Sequence, residues 1–261
     1  MFPELFHIGS ITVYSYGFCI ITGVVLAYLF FYIHRNDLNL NLDKISEFFL
    51  YCFAGVFLGG KLFYFLERPG YFLQNPGDFF SKFGQGFVFY GSFLVTIPLV
   101  IYWFRKEKIS VARGFDYTAI GGAFVHGFGK IGCFMAGCCH GKVCEKAQWW
   151  NVTFTNPHTV AEPINTPMYP TQLWDAAIIL GMVAFFFWYF PRKKFNGELF
   201  ILYSLIYGVG RFFTEFYRGD DSRGFVFGNL MTHSQFIALI IILVSVPMYI
   251  YFYRKSRKTQ A

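Results

Sequence analysis

Residues 129–141 read GKIGCFMAGCCHG and set Lys130, three cysteines and His140 within thirteen positions of a chain that holds 37 phenylalanines. Two kinds of chemistry follow from those side chains. A lysine at membrane depth is costly, about 2.5–3.5 kcal/mol at a helix centre, and calls for an anionic partner. The cysteines and His140 offer soft metal ligands. A second cluster lies downstream: Arg211, Glu215 and Arg218 stand at i, i+4 and i+7 and line one helical face. That face keeps positive charge after internal pairing, and in a bilayer the abundant anion is a lipid phosphate. His126 and Lys130 are four apart, with Cys133 at i+7, so these three share a side of their helix. His126 reads equally as a hydrogen-bonded packing residue.

Cys133, Cys138, Cys139, His140 and Cys144 give C-x4-C-C-H-x3-C. Standard zinc sites join a C-x2–4-C pair to a second pair farther along, so the spacing is only loosely compatible, and bound metal below stoichiometry is expected. A disulfide such as Cys139 to Cys144, and cysteines used as small packing residues, remain open beside it. No helix N-terminus or general base is fixed beside any one thiol to make it a nucleophile.

The elements that must position these groups are membrane helices. The 261 residues are 55% hydrophobic, 23% aromatic and only 14% charged, well below the charge of a soluble domain. Seven apolar runs are long enough to span, at about 11–33, 46–66, 87–104, 114–136, 171–190, 198–216 and 231–253. The net charge of +7 sits at the ends of these runs rather than on a polar stripe, which argues against nucleic acid. With the C-terminus inside, thirteen Lys and Arg fall on the cytoplasmic side, six outside, and Lys61, Lys130 and Arg211 within spans. That excess gives an N-out, C-in chain. MFPELFHIGS lacks a basic n-region, so the first span is expected to stay as the insertion signal. The outer segments 67–86 and 137–170 are long enough for structure. The second carries the strand-like WNVTF and forms a small periplasmic head of what reads as a single all-α transmembrane domain over 1–261. Gly121, Gly122, Gly127, Gly129 and Gly132 thin the fourth span, for helix packing or for a lipid head group. The span charges can also be met by snorkelling, or by pairing with Glu215, Asp175 or Glu47.

Five fragments then carry a resemblance. GVFLGGKLFYF (55–65), GFVFYGSF (86–93), GFGKIGCFMAGCCHG (127–141), MYPTQLWDA (168–176) and YGVGRFFTEFYRGDD (207–221) occur in the order and spacing of the bacterial prolipoprotein diacylglyceryl transferases, and the likeness covers nearly the whole chain. The resemblance implies transfer of a diacylglyceryl group from phosphatidylglycerol to the lipobox cysteine thiol of a prolipoprotein signal peptide, at the bacterial inner membrane, without a cofactor or metal. It implies that Lys130 falls on the signature arginine that contacts the lipid head group, and Arg211 on a second essential arginine. Tyr90 and Tyr169 match histidines, Tyr16 matches a tyrosine of the first span, and Glu215 and Arg218 match the acidic and basic residues after Arg211. Catalytic roles are thus expected of Arg211, Tyr90, His126 and Glu215. Substrate contacts are expected of Lys130, Tyr16, Lys61, Gly129, Tyr169 and Arg218. The chain departs from the family pattern at Lys130, at Cys133 where Asn is usual, and at Ala136 and Cys138. A paralogue acting on another anionic lipid or acceptor is the alternative within the class, and a small-anion transporter is the alternative outside it. The paired inverted repeats common in transporters are not visible.

Overall fold

The computed structural model describes residues 1–9, 11–78, 88–146, 148–219 and 224–260. The chain opens with an antiparallel hairpin, β1 (Glu4–Ile8) and β2 (Ile11–Tyr14), and continues as helices α1 (Ser15–Ile33), α2 (Leu42–Leu66), α3 (Pro69–Gln74), α4 (Phe89–Lys106) and α5 (Val111–Ala136). A two-residue ladder of β3 (Val152–Thr153) and β4 (Pro167–Met168) precedes α6 (Thr171–Tyr189) and α7 (Glu198–Thr214). A second such ladder, β5 (Phe225–Val226) with β6 (Met231–Thr232), leads into α8 (His233–Gln260).

Among the described residues six helical stretches are long and apolar enough to cross a membrane: Ser15–Ile33, Leu42–Leu66, Val111–Ala136, Thr171–Arg192, Glu198–Tyr217 and His233–Lys258. They present large apolar side chains outward; Ile21, Leu50, Phe53 and Leu243 are each more than half exposed. Lipid satisfies such side chains as well as a core does. The run expected at 87–104 forms the 18-residue α4, which carries Pro98 and ends on Arg105 and Lys106. The chain is therefore a mostly helical, multi-pass membrane protein.

Residues Phe31–Gly114 form one unit, built on α2 against α4. Asn41 caps α2 by accepting from the Lys44 amide at 2.9 Å. Glycines bring the two helices into backbone contact. A Cβ on Gly55 would lie 2.7 Å from Thr96 Cα, and one on Gly59 would strike the Gly91 carbonyl and come within 2.9 Å of Val95 Cβ. Ser92 then donates to the Val56 carbonyl at 2.9 Å. Phe48 stacks on Phe31 at 4.9 Å and meets Trp103 at 4.9 Å, and Lys44 pairs with Glu107 at 2.6 Å. Gly59→Val is expected to cost about 1–3 kcal/mol by forcing α2 and α4 apart. Thermal unfolding of the detergent-solubilised protein checks this; an unchanged midpoint contradicts it.

Met1–Phe30 with Phe115–Ala261 form the other unit. At one end of α5, the fully buried Asp116 closes the N-terminus of α7. It accepts from the Gly197 and Leu199 amides at 2.9 Å each and from Lys193 Nζ at 2.6 Å. Those amides have no intrahelical partner, and the helix dipole favours an anion there. At the other end α5 stops where Gly137 takes φ +88° and returns its N–H to the Cys133 carbonyl at 2.9 Å. The 137–170 segment has a small core of Phe154, Ala161 and Met168, packed by Met1, Phe134 and Val152. The expected strand at WNVTF is β3.

Candidate functional site

Glycines of α5 decide how closely its neighbours approach. A Cβ on Gly127 would lie 2.7 Å from Leu180 Cδ2 on α6, and one on Gly132 would lie 3.1 Å from Tyr16 Cδ2 on α1. From the opposite side, Gly23 of α1 brings its backbone against Val125, whose Cα a Cβ would meet at 2.8 Å. With α1 and α6 drawn in, the C-terminal half of α5 delivers Lys130 to the first turns of α6.

There Lys130 Nζ donates to Asp175 Oδ2 at 2.6 Å. The Thr214 hydroxyl donates to Asp175 Oδ1 at 3.0 Å, and Arg211 Nη1 lies 3.8 Å from Oδ2. Arg211 Nη2 pairs with Glu215 Oε2 at 2.5 Å and reaches the Ser234 hydroxyl at 3.4 Å. Glu215 also accepts from Thr232 Oγ1 at 3.0 Å and stands 3.8 Å from Arg218 Nε. Asp175 is 2% exposed, Arg218 4%, Glu215 6% and Arg211 8%. Removing such charges from water costs several kcal/mol each, so they persist only as a mutually paired set.

Among the described residues, the three cationic side chains Lys130, Arg211 and Arg218 face the two carboxylates Asp175 and Glu215. Arg211 Nη1 is buried and makes no hydrogen bond among the described residues, and a buried donor of that kind is expensive unless a ligand uses it. An anion with several acceptor oxygens is the ligand this geometry fits.

His126 lies one turn before Lys130. Its Nδ1 is 2.7 Å from the Tyr203 hydroxyl, and its ring meets Tyr207 edge-on at 4.7 Å. Tyr16 is exposed and lines a cleft with Pro3, Gly17, Ala136 and Val160. Gly129 faces Ile20 of α1, whose Cδ1 a Cβ would meet at 3.2 Å. Tyr169 sits among aromatic rings, 5.2 Å from Tyr217, 5.6 Å from Trp150 and 5.9 Å from Trp174. The neighbouring Cys144 thiol pushes the Tyr169 phenol above its ordinary range, so it stays protonated near neutral pH. Lys61 belongs to the Phe31–Gly114 unit, where it is buried with Nζ 5.9 Å from the Tyr64 ring. Tyr90 lies in the first turn of α4 in that unit; its side chain lies outside the described residues, as do 86–87 of its motif and Asp220 and Asp221.

Sequence reasoning names Asp175 only as one possible counter-charge, yet it accepts from Lys130 and Thr214 and faces Arg211. The signal was there: it is the one acidic residue of an otherwise apolar span, and an ionisable group at that depth marks a site. Thr214, Thr232 and Ser234 carry no comparable signal.

The cysteine motif separates into parts. The sulfurs of Cys133, Cys138 and Cys139 lie within 4.8 Å of one another. No disulfide joins any of the six cysteines, so Cys139 and Cys144 are not bonded. Cys144 Sγ instead accepts from Asn151 Nδ2 at 2.7 Å, and His140 Nδ1 lies 3.0 Å from the Gly141 carbonyl.

Comparison with known proteins identifies the family. The family model described as prolipoprotein diacylglyceryl transferase matches residues 3–251. Phosphatidylglycerol–prolipoprotein diacylglyceryl transferase 2 of Clostridium perfringens is 34% identical over 97% of this chain and 96% of its own. The phosphatidylglycerol–prolipoprotein diacylglyceryl transferase of Clostridium tetani is 33% identical over 94% of this chain and 96% of its own. The enzyme of the same name from Acinetobacter baumannii is 26% identical over 97% of this chain and 93% of its own. With the model spanning nearly its full length, the chain belongs to the prolipoprotein diacylglyceryl transferase family.

Proposed function

We infer that this protein transfers the diacylglyceryl group of phosphatidylglycerol to a cysteine thiol of a prolipoprotein, the first step of lipoprotein maturation. The observation that carries the reading is the buried set of Lys130, Arg211 and Arg218 around Asp175 and Glu215, in which Arg211 Nη1 makes no hydrogen bond among the described residues, in a chain of this family.

The chemistry assigns the parts. The acceptor sulfur attacks the glyceryl carbon that bears the phosphate ester. A C–S bond forms, the C–O bond breaks, and glycerol phosphate departs with the electron pair while the thiol proton passes to a base. Charge therefore grows on the leaving phosphate. Lys130 and Arg211 oppose it, and removal of one such donor costs about ten- to a thousandfold in rate. Before substrate binds, Asp175 and Glu215 hold these cations in place; the phosphate then takes the Arg211 Nη1 donor and a share of Lys130. Arg218 supports the set through Glu215. His126 and Glu215 are the basic groups assigned to the thiol proton, with Tyr203 fixing the imidazole. Tyr16, Gly129 and Tyr169 contact substrate, and the acceptor is a signal peptide with its lipobox cysteine.

The whole chain acts as one transmembrane domain of seven spans in the bacterial inner membrane, with α4 as the third span. The N-terminus faces outward, the C-terminus faces the cytoplasm, and 137–170 forms the outer head. A cytoplasm-active reporter fused after Ala261 and a periplasm-active one inserted at Asn151 are both expected to be active, following the Lys and Arg distribution; activity of the opposite pair contradicts this orientation. The function itself is tested by expressing the chain in bacteria depleted of their own diacylglyceryl transferase. Lipidated lipoproteins are expected to return, and continued accumulation of unmodified precursor contradicts the reading.

A further inference from the structure

The three-thiol cluster at the end of α5 is not used by the transfer chemistry. Cys133 stands on the last turns of the helix, whereas Cys138 and Cys139 follow Gly137, whose φ of +88° reverses the chain. Cys139 itself adopts φ +62°, a left-handed conformation that costs a non-glycine residue about 1–2 kcal/mol. The surroundings hold that backbone in place. Thr171 Oγ1 donates to the Cys139 carbonyl at 3.0 Å and Gln172 Nε2 to the Cys138 carbonyl at 2.9 Å. The strained turn thus brings three sulfurs that are poorly spaced along the chain to within 4.8 Å of one another.

We propose that Cys133, Cys138 and Cys139 form a binding site for one thiophilic metal ion, with zinc(II) as the ion it takes most readily. Three sulfurs around a tetrahedral zinc lie about 2.3 Å from the metal, hence about 3.8 Å apart, so the cluster needs to contract by about 1 Å or less. Half-buried side chains at a helix end can make that movement by rotamer adjustment. The charges also suit the ion. Three thiolates on a divalent cation carry one net negative charge, and the buried Arg218, bridged through its backbone to Gly141 just after the cluster, brings a cation to that end of the site. Each ligating thiol gives its proton to solvent as the metal binds. A three-sulfur donor set leaves one tetrahedral position for water or another small ligand. The linear motif offers one C-x4-C pair, Cys133 and Cys138, with Cys139 directly beside its second member and no second pair farther along; the turn at Gly137 and Cys139 nevertheless gathers all three sulfurs.

The test needs no substrate, so it is independent of the transfer reading. Full-length protein purified in detergent under reducing conditions is given equimolar zinc and desalted, then its metal content and X-ray absorption are measured. About one zinc per chain, with three sulfurs at about 2.3 Å, is the expected result. Cys139→Ser and Cys138→Ser are each expected to cut retained zinc at least about fivefold through loss of a thiolate, whereas Cys144→Ser leaves it unchanged. Thermal unfolding of each variant shows that it is folded. Substoichiometric zinc in the wild-type protein overturns the proposal, as does a metal bound by fewer than three sulfurs or zinc retained equally by Cys139→Ser. A disulfide among the three cysteines of the reduced, zinc-loaded protein overturns it too.

Discussion

Arg211→Met is expected to lower diacylglyceryl transfer by at least about a hundredfold and to destabilise the protein by about 3–5 kcal/mol. Both effects come from the same geometry. Arg211 Nη2 is the close partner of Glu215 at 2.5 Å, and Nη1 is the second cation facing Asp175, at 3.8 Å. Methionine fills much of the space but leaves Glu215 buried with Arg218, at 3.8 Å, as its one cationic neighbour among the described residues. Arg211→Lys separates the two effects. It keeps a charge near one carboxylate, so much of the stability is retained, but a single ammonium cannot address Glu215, Ser234 and a phosphate together as the planar guanidinium can. Thermal unfolding and initial transfer rates check both variants. Full activity of Arg211→Met removes Arg211 from the phosphate site.

Lys130 gives the second large effect, and Asp175 makes the experiment clean. Lys130→Met alone strands the carboxylate that now receives the lysine at 2.6 Å, so lost activity would be mixed with lost stability. The double variant Lys130→Met with Asp175→Asn removes one charge of each sign and keeps an acceptor for Thr214, which donates to Asp175 at 3.0 Å. Neutral replacement of a buried pair is often tolerated or stabilising. The double variant is therefore expected to unfold no earlier than the wild type while losing transfer by about ten- to a hundredfold, the worth of one charge-assisted hydrogen bond to the leaving phosphate. Lys130→Arg, by contrast, is expected to retain or raise transfer, because a guanidinium makes the paired contact to phosphate oxygens. A double variant with wild-type rates would assign Lys130 to structure alone.

Much of this was legible in the sequence, and the exceptions have physical causes. Composition alone identified a membrane protein, because apolar runs of about twenty residues have few other uses. The run expected from residue 11 begins its helix at Ser15, since Ile11–Tyr14 pairs with Glu4–Ile8 instead; the β-branched Ile11, Thr12 and Val13 favour that ladder. The last helix likewise starts at His233 because Met231–Thr232 is taken by a strand pair. Helix α2 starts four residues before the apolar run, at Leu42, where Asn41 supplies the cap. Within the site, the Arg211, Glu215 and Arg218 spacing was readable because helical periodicity fixes which side chains share a face. The Lys130–Asp175 pair spans 45 residues, and no local rule selects one carboxylate over another at that distance. The sulfur cluster was hidden for a related reason: ligand-spacing rules assume ordinary turns, and Cys139 turns the chain with positive φ.

The central claim is that this cationic set serves the departure of a phosphate from a diacylglyceryl carbon. Purified protein incubated with phosphatidylglycerol of defined acyl chains and a synthetic lipobox peptide tests it most directly, with mass spectrometry following both products. The predicted result is a peptide heavier by one thioether-linked diacylglyceryl group, one glycerol phosphate released per adduct, and neither product from the Lys130→Met, Asp175→Asn protein above about a tenth of the wild-type rate. An unmodified peptide, or an adduct that still carries the phosphate, would contradict it.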